Sequence, residues 1–371
     1  MSRFKKRDAG GRVGARVTAL VAALALIAVA CGADDTPADA PEAPAETAAE
    51  DVDEAPEVGE VDAEEAVAAP DDCNGYPDRP IEIIVPYTAG GGTDQIGRLF
   101  AQIASLYTDV PVRHQTMPGA GAALGSRFVA EAEPDGYTLS LGTSASIVSV
   151  GMLEDAGYDK DSFEAVSIIT APSFVFVVAP DSPFETWDDL FEYSLENPGE
   201  ITYGVSGAGG SPGILVSGLE GILGFEWTLV PFDGSAAGVL AAAAGDVDLS
   251  VPSLGSALDV IDAGTVRPLI QTAPERSEFL PDTPTFAETE GADNFTFTIW
   301  RTIAAPAGTP DCVIDYLADI SEQVSQNEDW IELSTNIEGE APLFLGPDEA
   351  RAEWDSYAAF LEPLVPELRG D

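Results

Sequence analysis

Short apolar runs rich in valine and isoleucine are followed repeatedly by glycine-rich loops and then by amphipathic stretches. This order restricts the fold more than any other feature. Residues 81–86 (IEIIVP) read as a buried strand, the following residues as a glycine loop, and about 93–107 as a helix. Residues 137–142, 201–205 and 247–251 repeat the apolar run. Strand, loop and helix in succession mean βαβ units, hence an α/β fold with mainly parallel sheets. Ligands bind such sheets beyond the carboxyl ends of the strands, where loops lead into helix N-termini.

Two changes of texture divide the chain. The run FVFVVAP (174–180) gives way to turn-rich DSPFETWDD, and FTFTIWRTIAA (295–305) leads into the turn PAGTP. Two crossings imply a discontinuous first domain, 73–173 and 299–371, with a second inserted at 174–298. The stretch from Cys73 onward is long enough for two cores.

The start of the chain sets the compartment. Arg3, Lys5, Lys6, Arg7, Arg12 and Arg16 precede an uncharged apolar run that ends at Cys31. That run is too short to span a bilayer, and it reads as a secretory signal over 1–30. Ala28-Val29-Ala30-Cys31 resembles the lipobox of bacterial lipoproteins, with alanine where leucine is usual. The resemblance implies an acylated Cys31 anchoring the protein to the outer face of the cytoplasmic membrane. Plain secretion is the alternative. Residues 32–72 hold Ala, Pro, Asp and Glu with no aromatic residue and no cation. Such a tract buries too little to order itself, so 31–72 reads as an acidic disordered tether.

Charge narrows the function classes. The chain carries 16 cations against 65 acids, a formal net charge of −49. Beyond the signal ten cations remain, and Lys160 is the one lysine among them. Nucleic acid is excluded as a partner, because phosphate neutralisation needs clustered Lys and Arg. So acidic a surface suggests a saline medium that screens self-repulsion. With Cys31 acylated, Cys73 and Cys312 are left as a pair, expected as a disulfide in an oxidising compartment. Two separate buried thiols are the alternative reading. One mature histidine, His114, and no metal-type cysteine spacing leave no metal cluster, and no cofactor motif is present.

Two loops carry the candidate chemistry. Loop 86–94, PYTAGGGTD, stands between a strand and a helix, where glycines let a ligand approach the backbone and helix-start amides attract anions. The plainer reading is a tight turn capped by Thr93 or Asp94. Loop 204–213, GVSGAGGSPG, satisfies G-x-S-x-G around Ser211, so a serine hydrolase is an alternative. That reading fails on partners, since the sole histidine precedes the serine rather than following it. Arg301 is the one cation at a predicted crossing, able to reach a cleft or to form a surface ion pair.

Together YPDRPIEIIVPYTAGGGTDQIGR (76–98), MPGAGAALG (117–125), PDGYTLSLGTSAS (134–146), ITYGVSGAGGSPG (201–213), VPFDGSAAGVLAAAAGDVDLSVPSL (230–254) and APAGTP (305–310) carry a family resemblance. They resemble the tripartite tricarboxylate transporter receptors, the Bug or TctC-type solute receptors. The resemblance implies a two-lobed periplasmic-binding-protein-like fold of type II, two doubly wound domains joined by a two-crossing hinge. It implies a monomer that binds a small organic carboxylate, needs no cofactor, and serves integral membrane subunits of a tripartite tricarboxylate-type transporter. A ligand-sensing partner of a signalling membrane protein is the alternative on the same fold. Backbone contacts to a ligand carboxylate are expected from Thr88, Ala89, Gly90, Gly91, Gly92 and Thr93, beside Tyr87. Thr143 and Ser144, then Ser206, Gly207, Gly210 and Ser211, are expected to face the same cleft, with Arg301 near it. The chain departs from the family at Asp233, commonly lysine there, and at Thr116-Met117 before the PGA motif.

Overall fold

In the computed structural model the described residues are 67, 73, 75–205, 210–232, 235–289 and 295–369. Cys31, Ser206, Gly207 and Asp233 lie outside them. Ten strands form among the described residues: β1 Ile81–Val85, β2 Val112–Thr116, β3 Thr138–Thr143, β4 Phe163–Thr170, β5 Val175–Val178, β6 Thr202–Val205, β7 Thr228–Pro231, β8 Leu249–Ser250, β9 Arg267–Gln271 and β10 Arg301–Pro306. The helices among them are α1 Gly92–Ala104, α2 Ala123–Ala130, α3 Val150–Leu153, α4 Trp187–Glu196, α5 Ser211–Leu223, α6 Ser235–Ala244, α7 Leu254–Asp262, α8 Asp311–Gln326, α9 Glu328–Glu338, α10 Pro347–Leu361 and α11 Val365–Arg369.

The strands assort into two five-stranded sheets, ordered β2-β1-β3-β10-β4 and β7-β6-β8-β5-β9. The fold is two-lobed α/β, each sheet flanked by helices. In each sheet four of the five strands run the same way, as expected, and one runs against them. β1 pairs parallel with β2 and β3, but β10 runs antiparallel to both β3 and β4. In the second sheet β6 pairs parallel with β7 and β8, whereas β5 runs antiparallel to β8 and β9. The cause is topological. β5 and β10 are the strands the chain enters on passing from one sheet to the other, between β4 and β5 and between β9 and β10. A strand that starts at the end where its neighbours finish must run against them.

Elements form where the apolar spacing requires them. Ile96, Leu99, Phe100 and Ile103 repeat at helical spacing on α1, and all four are buried against the first sheet. Each such side chain contributes about 1.5–3 kcal/mol on burial. Ile81, Ile83 and Val85 of β1, Ile303 of β10, and Leu317, Ile320 and Val324 of α8 join the same core, closed by Trp330 of α9 edge-on to Phe100. The Cys73–Cys312 disulfide ties the segment before β1 to the first turn of α8.

The second sheet packs on an aromatic cluster of Phe176, Trp187, Phe225, Trp227 and Phe286. Its indole Trp227 Nε1 donates to Ser194 Oγ at 2.7 Å, satisfying a buried donor. Trp354 and Tyr357 of α10 pack on Trp300 just before β10. One core cluster thereby runs from the first sheet to the second.

Candidate ligand site

β1 delivers Pro86 and Tyr87 at its carboxyl end, and the chain turns there through the glycine loop into α1. Gly90 has φ +85°, a left-handed conformation that favours glycine. Thr88, Ala89, Gly90 and Gly91 are exposed at the rim, while Gly92 and Thr93 are half-buried. The N-cap of α1 is Gly91, with no side-chain cap, rather than Thr93 or Asp94. Asp94 instead turns back beneath the loop and accepts from the Gly90 amide at 2.8 Å. That amide is committed to the fold, so Gly90 serves by its shape. The amides of Gly92 and Thr93 belong to the first turn, where a helix supplies them no partner and carries its positive dipole end.

Asp94 is fully buried and also holds Arg98 Nη2 at 2.7 Å and His114 Nε2 at 2.8 Å. Burial alone would raise its pKa, but the Gly90 amide, Arg98 and His114 outweigh that and hold it below the usual range. Burial pushes His114 below its ordinary value, with Asp94 opposing. His114 is therefore structural.

The end of β3 meets this loop. Tyr87 and Thr143 share a hydrogen bond between hydroxyls at 2.6 Å, and burial raises the Tyr87 phenol. Thr143 N–H donates to Ser146 Oγ at 2.8 Å, and Ser144 N–H donates to the Trp300 carbonyl at 3.2 Å. In the second lobe Gly210 is the N-cap of α5 and Ser211 its first residue. Ser144 and Ser211 are buried, and neither hydroxyl has a hydrogen-bond partner among the described residues. Both influence the Tyr357 phenol, which pairs with Ser149 Oγ at 3.1 Å and which burial pushes up to about 12. The phenol stays neutral at any physiological pH.

Arg301 opens β10, directly beside Thr143 of β3. It is neither at the surface nor in a surface pair: its guanidinium is buried, with Nη1 2.7 Å from Glu338 Oε2 of α9. Nε stands 3.3 Å from Thr93 Oγ1, behind the glycine loop. Tyr87, Thr93, Thr143 and Arg301 thus come together, and Ser144 and Ser211 meet at Tyr357. Tyr357 and Glu338 were not anticipated as parts of this place, and Asp94 was expected only as a possible helix cap. Asp94 carried a local signal, an acid three residues after the N-cap glycine. Tyr357 and Glu338 carried none, since each arrives from a distant helix.

A hydrolase is not built here. Ser211 begins a helix with its hydroxyl near Tyr357, and the only histidine is engaged with Asp94.

Two α/β lobes, with loops at the carboxyl ends of the parallel strands of each, define a periplasmic-binding-type solute receptor. The model of the "Tripartite tricarboxylate transporter family receptor", TctC, matches residues 98–343, and the chain belongs to that family. It is 32% identical over 262 residues to a UPF0065 protein of Bordetella pertussis, covering 70% of this chain and 81% of the relative. Among solved structures it is similar to one described as a periplasmic transporter, with 31% identity, TM-score 0.69, and coverage of 78% of this chain and 97% of the other. An R. palustris protein solved with adipate is 27% identical, with TM-score 0.69 and coverage of 80% and 98%. As a member of a receptor family the chain is a solute-binding protein rather than an enzyme.

Proposed function

We propose that this protein is an extracytoplasmic receptor that captures a small organic carboxylate and passes it to the membrane subunits of a tripartite tricarboxylate-type transporter. Family membership and the adipate found in the R. palustris relative support the ligand class. No helix among the described residues is long and apolar enough to cross a membrane. A lipid on Cys31 and a tether over 31–72 hold the receptor at the membrane, and domains 73–173 with 299–371 and 174–298 close on the ligand as a monomer. Mass spectrometry of the mature N-terminus checks the lipid.

The observation that carries this reading is the loop between β1 and α1. Its shape is held from beneath by Asp94, and the first-turn amides of Gly92 and Thr93 stand at the dipole end of a thirteen-residue helix. An anion is bound there by backbone, which suits a protein with so few cations. Ser211 closes from the second lobe, with Ser206, Gly207 and Gly210 of the same loop.

Isothermal calorimetry with citrate, adipate, malate and aromatic carboxylates in molar salt tests it. At least one carboxylate is expected to bind. Gly91→Val is expected to weaken that binding at least tenfold by obstructing approach to the backbone. Ser211→Ala removes at most one hydrogen bond and is expected to cost about 0.5–1.5 kcal/mol. Undiminished affinity in folded Gly91→Val would refute the loop contact, and no binding across the panel would refute the ligand class.

A further inference from the structure

The Arg301–Glu338 pair is more than the strand and helix need. Glu338 uses one oxygen on Arg301, and its other oxygen, Oε1, is buried with no hydrogen-bond partner among the described residues. A pair kept for stability alone is expected to be fully hydrogen-bonded, and even then apolar side chains often serve as well. Arg301 directs its remaining nitrogen elsewhere. A Cβ on Gly92 would stand 3.3 Å from Arg301 Nη2, so the guanidinium lies against the first residue of α1. A side chain there would press the guanidinium back by a few tenths of an ångström, so glycine suits the close approach.

The counter-charge is held in place from several sides. Gly339, next to Glu338, accepts from Ser277 Oγ of the second lobe at 3.0 Å. Glu340 accepts from the amide and hydroxyl of Ser173, between β4 and β5, at 2.6 and 2.7 Å. Glu338 is therefore fixed beside Arg301 by contacts on either side of its own position. A buried charge behind a helix start acts through low-dielectric material and is screened far less than a surface one.

We propose that Arg301 and Glu338 form a charge-balancing pair that sets the site's preference for ligand charge. Arg301 supplies the positive field that draws a carboxylate to the start of α1. Glu338 reduces that field to a level at which the ligand is released again. The inference rests on the carboxylate reading above and adds the residues that tune it.

The probe is adipate, with neutral adipamide as its uncharged counterpart. Glu338→Gln keeps the side-chain shape and uncovers the guanidinium, so adipate is expected to bind about tenfold more tightly or better, with adipamide little changed. Arg301→Gln is expected to weaken adipate by a similar factor, and the double variant to return toward wild type. A purely structural pair predicts that both single variants weaken both ligands alike. In the wild-type protein, the 15N signal of Arg301 Nε, assigned by its loss in Arg301→Lys, is expected to move on adding adipate and not adipamide. Through-bond assignment of that Nε signal from the Arg301 backbone, needing no variant, lets this measurement decide the matter even where a variant does not fold. If wild type binds carboxylates while folded Glu338→Gln is unchanged or weaker, or if the Nε signal stays still, the charge-balancing role is wrong and the carboxylate reading stands. If wild type binds no carboxylate, both fall.

Discussion

The place of His114 under the ligand loop makes a residue-scale pH dependence. Burial depresses its pKa in the folded state below the ordinary value of 6.5, while the unfolded chain keeps that value. As pH falls through about 6.5 the unfolded state takes up a proton that the folded state does not, so stability drops. Above that window both states are neutral and the residue contributes no slope. The melting temperature is expected to fall between about pH 7.5 and 5.5. His114→Gln keeps a donor for Asp94 but cannot titrate, and is expected to flatten this part of the curve. Equal slopes in both proteins would show that His114 does not carry it. Asp94 is shifted in the same direction and adds to the same trend: its depressed pKa stabilises the fold above the usual aspartate range, and this is lost only as pH falls into strong acid. Little of this was legible in the sequence. The glycine loop and Asp94 stand side by side in it, but His114 reaches Asp94 only because β2 is laid against β1.

At the scale of elements, the two lobes meet where α7 passes the end of α9. A Cβ on Gly255 of α7 would come within 2.1 Å of the Ile337 carbonyl and 2.7 Å of the Glu338 backbone carbon. Gly255→Ala would gain about 1 kcal/mol in helix propensity. Forcing an atom into a backbone contact this close costs about 1–3 kcal/mol. The clash wins, because the neighbour is main chain and cannot rotate away. Thermal unfolding of Gly255→Ala is expected to show a melting temperature a few degrees lower, and an unchanged or raised one would mean that α7 and α9 part easily. The strand runs and the amphipathic face of α1 were readable from spacing. The antiparallel β5 and β10 were not, since strand direction depends on which end of a sheet the chain enters.

Charge belongs to the whole molecule. A net charge of −49 opposes compaction until counter-ions screen it, and the Debye length shrinks from about 10 Å at 0.1 M to about 3 Å at 1 M salt. The melting temperature is expected to rise by several degrees over that range, as is affinity for an anionic ligand. A melting temperature independent of salt would show that the acids are spaced too widely to repel effectively. The same scarcity of cations gives Arg301 its weight: placed in the core with one counter-charge, it is shielded from the salt that screens the surface.

The sequence by itself determined the class of fold, because short apolar runs, glycine loops and helical spacing are local properties that a short stretch of chain expresses alone. It also determined the family, through motifs spread in order along the chain, and it raised the pairing of Cys73 with Cys312 as an expectation that the structure bears out. Only the tertiary structure decided that the Gly90 amide is used by Asp94, that Tyr357 lies near Ser144 and Ser211, and that Arg301 is buried against Glu338. The last two are contacts between residues far apart in sequence, set by the order of strands in a sheet and the packing of helices on it, and the first is fixed by His114, which β2 brings to Asp94. No local pattern records them, because the free energy that selects them comes from burial shared across both lobes.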